Sequence, residues 1–97
     1  EKELLAAEKI YNGYPKGLNN LGLVYWKKGE KDKAREYFLK ALDFAFPYTG
    51  AYENLAMMAL ESGDIKEARK WLTLFYGGNK IAAEDHIKNL IQKNIGF

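Results

Sequence analysis

The sequence predicts an all-α protein built as a stacked helical repeat, and three observations predict it. The chain repeats itself at a spacing of 34 residues: Leu21, Gly22, Gly29, Glu30, Ala34, Arg35 and Phe38 return as Leu55, Ala56, Gly63, Asp64, Ala68, Arg69 and Leu72. A fixed period of this length marks arrays of stacked helices. Between turn signals, apolar residues recur at i, i+3, i+4 and i+7, the spacing of one helix face. No stretch alternates with period two, so no strand is expected.

Each element follows in order. Residues 1–11 read as a helix, with Leu4, Ala7 or Glu8, and Tyr11 at helical spacing, ended by Asn12-Gly13-Tyr14-Pro15. Pro15 suits the first position of the next helix, where its missing N–H is not needed. That helix runs over 16–28 with Leu18, Leu21, Gly22 and Tyr25 on its apolar stripe and Lys27 and Lys28 near its C-terminus. Positive charge suits that end of the dipole, and Gly29 is the natural stop. A third helix over 31–44 turns Ala34, Phe38, Ala41 and Leu42 inward, has Tyr37 beside them, and stops before Pro47.

Thr49 is placed to cap a fourth helix reaching residue 61, with Tyr52, Leu55, Ala56 and Ala59 on its inner face. After Gly63, Asp64 caps a fifth, with Glu67 three residues on in capping-box spacing. Ile65, Ala68, Trp71 or Leu72, and Phe75 follow, and Gly77-Gly78 ends the helix. Asn79 caps a sixth through residue 95, with Ala83, Ile87, Leu90, Ile91 and Ile95 as its stripe. Loops this short make successive helices antiparallel neighbours.

The small residues mark where helices cross. Gly22 and Ala34 lie on facing helices of one pair, and Ala56 and Ala68 take the same places in the next. Leu21, Tyr25 and Phe38 would fill the space around the crossing.

Composition narrows the function classes. Nine basic and seven acidic residues precede Tyr48, and six of each follow it. No half or tail is charged enough to argue for nucleic acid or a membrane surface. The chain has no cysteine, which removes disulfides and thiolate metal sites. No apolar run approaches a membrane span. The charged start Glu1-Lys2-Glu3 is unlike a signal peptide and no initiator Met is present, so a piece of a longer chain is expected; the compartment stays undetermined, with the cytoplasm favoured.

The repeat pattern resembles the tetratricopeptide repeat. Leu18, Leu21, Gly22, Tyr25, Gly29, Ala34, Phe38 and Ala41 match that family's pattern in a first repeat over 15–48, with Pro47 one place late. Tyr52, Leu55, Ala56, Gly63, Ala68 and Leu72 match in a second, shortened repeat over 49–78. Ala59 and Phe75 depart from the pattern, being small and bulky respectively where the family prefers Tyr and Ala. Residues 1–14 align with the second helix of a preceding repeat, and 79–97 look like a C-terminal capping helix. The resemblance implies one domain over 1–97: a right-handed α–α superhelix of about six antiparallel helices, with two full repeats flanked by half-repeat or capping helices.

It also implies a function. In this family the first helix of each repeat lines a concave groove. The positions that point there are Lys16, Asn19, Asn20, Leu23, Trp26 and Lys27 in the first repeat, and Glu53, Asn54, Met57 and Leu60 among those of the second. Leu23, Trp26, Met57 and Leu60 also fall off the core stripes, and apolar residues there need a second surface to cover them. Trp26 is the sharpest, since Trp is enriched in binding hot spots. The expected partner is a protein or peptide, taken as a helix or an extended segment. The expected alternatives are a structural, self-associating or regulatory segment of a longer protein. Asn20 and Asn54 keep two places of the family's carboxylate clamp, but its basic places do not match, so a chaperone-tail receptor is not expected.

No catalytic set, cofactor or metal site is expected. His86 stands alone beside Glu84 and Asp85, and reads as an ordinary surface histidine. Gly77-Gly78-Asn79-Lys80 lacks the spacing of a phosphate loop and reads as a helix stop followed by a cap.

Overall fold

The computed structural model describes residues 14–93, so the helix expected over 1–11 and the continuation of the last helix past Lys93 lie outside the described residues. Five helices form among them: α1 (Pro15–Lys27), α2 (Lys31–Leu42), α3 (Gly50–Glu61), α4 (Ile65–Phe75) and α5 (Lys80–Lys93). No strand occurs among the described residues. The chain divides into two compact units, with the division between Ala51 and Tyr52.

In the first unit, α1 begins on Pro15, and the Leu18 N–H reaches the Tyr14 carbonyl at 3.0 Å. The helix closes where Gly29 turns to φ 85°, which lets the Glu30 N–H reach back to the Tyr25 carbonyl at 2.9 Å. The second unit repeats the device, with Gly63 at φ 81° and the Asp64 N–H on the Ala59 carbonyl at 2.8 Å. Only glycine adopts this left-handed turn at little cost, which is why the period preserves it.

The α1–α2 crossing is built as the small residues require. A methyl group on Gly22 would lie 2.5 Å from Cε1 of Phe38 and 3.1 Å from the Ala34 carbonyl oxygen. Phe38, Ala34 and Ala41 are fully buried, with Leu18, Leu21, Tyr25 and Tyr37 around them. Tyr25 and Tyr37 stack with ring centroids 5.2 Å apart. Each large apolar side chain so buried stabilises the fold by about 1.5–3 kcal/mol. Helix α2 ends at Leu42, two residues before the expected end. The Tyr48 N–H folds back onto the Ala41 carbonyl at 3.3 Å, taking the acceptor that a longer helix would offer to Ala45.

In the second unit, Leu55, Ala56 and Ala59 of α3 are buried as expected, together with Met58. On α4, Ala68, Trp71 and Leu72 are buried, and the Trp71 ring lies 6.1 Å from that of Tyr52. Ile65, expected on that inner face, is 42% exposed at the first helical position. Helix α5 packs on α4 through Ala83 and Ile87. Ile91, expected to bury, is exposed, whereas Leu90 is half-buried. At about 100° per residue, Leu90 lies about 20° from Ala83 around the helix and Ile91 about 80°.

The second repeat carries exchanged sizes at the positions of the first crossing. Gly22 and Phe38 become Ala56 and Leu72, while the stacked Tyr25 and Tyr37 become Ala59 and Trp71. A larger residue at one position goes with a smaller one at the other, the exchange that close packing at a shared crossing would favour.

Candidate functional site

On α1 the buried stripe leaves the opposite face open. Lys16, Asn20, Leu23 and Lys27, at i, i+4, i+7 and i+11, are all exposed. Leu23 stands 41% exposed at the centre of this stripe, beside Val24 at 39%. Asn19, expected on the same face, is buried. A step of one residue turns it about 100° away from Asn20. Trp26 is half-buried rather than open, with its ring edge-on to Phe38 at 5.9 Å. Part of its surface therefore belongs to the α1–α2 core.

On α3, the residues read from the second repeat, Glu53, Asn54, Met57 and Leu60, are all half-buried. Glu53, Met57 and Leu60 share one face at i, i+4 and i+7. The Glu53 carboxylate lies 3.9 Å from Nε2 of His86 on α5.

His86 is not the ordinary surface histidine the sequence suggests. Its side chain is only 18% exposed, and Nδ1 pairs with the Tyr76 hydroxyl at 2.7 Å. The imidazole thus links α3, the end of α4 and α5 within the second unit. No spacing signal announced this: Tyr76 and His86 are brought together by the reversal of the chain at Gly77-Gly78. That reversal is the helix stop expected there, with the Gly78 N–H on the Thr73 carbonyl at 2.7 Å. Asn79 then caps α5 through Oδ1, which accepts from the Ala82 N–H at 3.0 Å.

Among the described residues, no group of three or more His, Cys, Asp and Glu side chains could hold a metal ion. No helix among them is long and apolar enough to cross a membrane.

The packed pair α1–α2, with Gly22 and Ala34 at its crossing and Gly29 in its turn, coincides with a family match. Residues 15–45 match the tetratricopeptide repeat. The match covers the first helix pair, about a third of the chain. Among curated proteins, it is 26% identical over 77 residues to the Caenorhabditis elegans tetratricopeptide repeat-containing protein trd-1, covering 79% of this chain and 10% of that protein. It is 35% identical over 51 residues to an F-box protein of Arabidopsis thaliana, covering 53% of this chain and 14% of the relative. The chain thus spans about a seventh or less of either relative. No solved structure matches.

Proposed function

We propose that this chain is a tetratricopeptide repeat module that binds a peptide or a partner helix on the exposed faces of the first helices of its repeats. In this reading Lys16, Asn20, Leu23, Trp26 and Lys27 form the binding face of α1, and Glu53, Asn54, Met57 and Leu60 form that of α3. The observation that carries the reading is the exposed stripe of α1: Leu23 open to solvent between Asn20 and two lysines, on the face opposite a filled core. Leu23 and Trp26 would supply apolar contact, and Asn20 and Asn54 would bond a ligand backbone. The lysines would favour a partner with carboxylates. The reading assigns binding to the chain and no chemistry.

A pull-down with wild type against Leu23→Asp tests it. The expected result is loss of captured partner with an unchanged melting temperature; equal capture by both refutes the face. The length of the two relatives favours one second reading, that the module acts as a regulatory or assembly segment within a larger protein. Sizing of that larger protein with and without this segment separates the two.

A further inference from the structure

The α4–α5 pair carries a second surface, separate from the residues discussed so far. A groove of about 650 Å³ runs between these helices, walled largely by the carbon stems of Lys66, Lys70 and Arg69, with Leu74 47% exposed. Arg69 is bonded to Glu84 across the groove and ties the two walls together. That pair leaves Lys66, Lys70 and Lys80 as the excess charge of the lining. Lys70 lies over the Trp71 ring at 4.6 Å, while Lys66 and Lys80 have no ion pair among the described residues.

The positions of two of these lysines are informative. Lys66 and Lys80 sit in the first turns of α4 and α5. The helix dipole disfavours positive charge there and favours Asp or Glu. Two lysines held against the local preference, on one groove with an apolar centre, are the kind of local conflict that marks a functional surface.

We infer that the α4–α5 groove binds an acidic amphipathic segment of a partner protein, its carboxylates on Lys66, Lys70 and Lys80 and an apolar side chain on Leu74. The charge complement of the lining is a polyanion, and its apolar centre selects among polyanions. A nucleic-acid strand is usually held by aromatic stacking, and no ring lines this groove. A peptide with Glu or Asp flanking a Leu satisfies both features. From Lys66 to Leu74 is eight residues, about 12 Å of helix, so a short segment spans the site.

The test uses fluorescence anisotropy with a labelled synthetic peptide of about twelve residues, made of Glu, Asp and Leu at helical spacing. A control peptide carries Gln and Asn instead. The acidic peptide should bind, weaken as salt is raised, and lose about tenfold or more on Lys66→Glu/Lys80→Glu. Both substitutions place acid where the helix dipole favours it, and circular dichroism should show an unchanged fold. Leu74→Ser, at an exposed position, should weaken binding independently. Trp26→Ala should leave this binding unchanged, which separates the site from the α1 face. Equal binding of the control peptide overturns the inference. So does an unaffected charge variant, or capture of polyuridine RNA or phosphatidylserine vesicles with no binding of the acidic peptide.

Discussion

Gly22 and Phe38 are in contact so close that a single added methyl group would stand 2.5 Å from the Phe38 ring. The ring cannot move aside into solvent, because it is fully buried and Trp26 lies edge-on to it at 5.9 Å. Gly22→Ala therefore gains helix propensity of about 1 kcal/mol but overpacks the crossing. A net loss of about 1–2 kcal/mol is expected in thermal or urea melting. The second repeat carries Ala56 and Leu72 at the equivalent positions. Gly22→Ala/Phe38→Leu should accordingly be more stable than Gly22→Ala alone; a double variant no better than the single would show that the crossing does not set the choice.

The N-termini of α2 and α4 offer a matched comparison. Glu30 and Asp64 occupy equivalent places with nearly the same backbone, φ −91° and ψ 73° against φ −93° and ψ 79°. Only Asp64 caps its helix, Oδ1 accepting from the Glu67 N–H at 3.0 Å. The extra methylene of Glu30 leaves its carboxylate without that bond. Asp64→Ala should cost about 1 kcal/mol, and Glu30→Asp should add about 0.5–1 kcal/mol. Melting curves of the two variants shifting in opposite directions would bear this out.

The His86 linkage predicts where the second unit opens first. His86→Ala removes the bond to Tyr76 and the neighbour of Glu53. A loss of about 0.5–1.5 kcal/mol is expected for one hydrogen bond. Amide exchange should rise along α5 while α1 and α2 keep their protection. Uniform loss of protection over all helices would contradict the local role.

Trp71 has a buried indole N–H with no hydrogen-bond partner. Trp71→Phe removes that unsatisfied donor, whose cost of about 1–3 kcal/mol offsets the smaller ring's lost burial. Stability should change by less than about 1 kcal/mol, whereas Trp71→Ala should cost about 3–5 kcal/mol. Urea denaturation distinguishes the two.

Trp26 serves both core and surface, so its substitution should show both effects. Trp26→Ala should lower the melting temperature through loss of the Phe38 contact and also weaken partner capture. Leu23→Asp should affect capture alone. A Trp26→Ala protein with wild-type stability would mean the contact with Phe38 contributes nothing.

The sequence by itself determined the five described helices, the caps at Asp64 and Asn79 and the crossing of the first pair. Those features are local or periodic: a glycine turn closes through hydrogen bonds within six residues, and a buried stripe is written in the 3.6-residue spacing. Much of the candidate α1 face was legible for the same reason, since Lys16, Asn20, Leu23 and Lys27 are what remains when the core stripe is removed. Tertiary structure alone decided the rest. Whether Asn19 and Ile91 bury depends on the rotation of each helix against its neighbour, which a stripe constrains only to within tens of degrees. The pairing of His86 with Tyr76 and of Arg69 with Glu84 depends on how two antiparallel helices come into register. That register is set by side-chain packing across the pair, and no spacing along the chain encodes it.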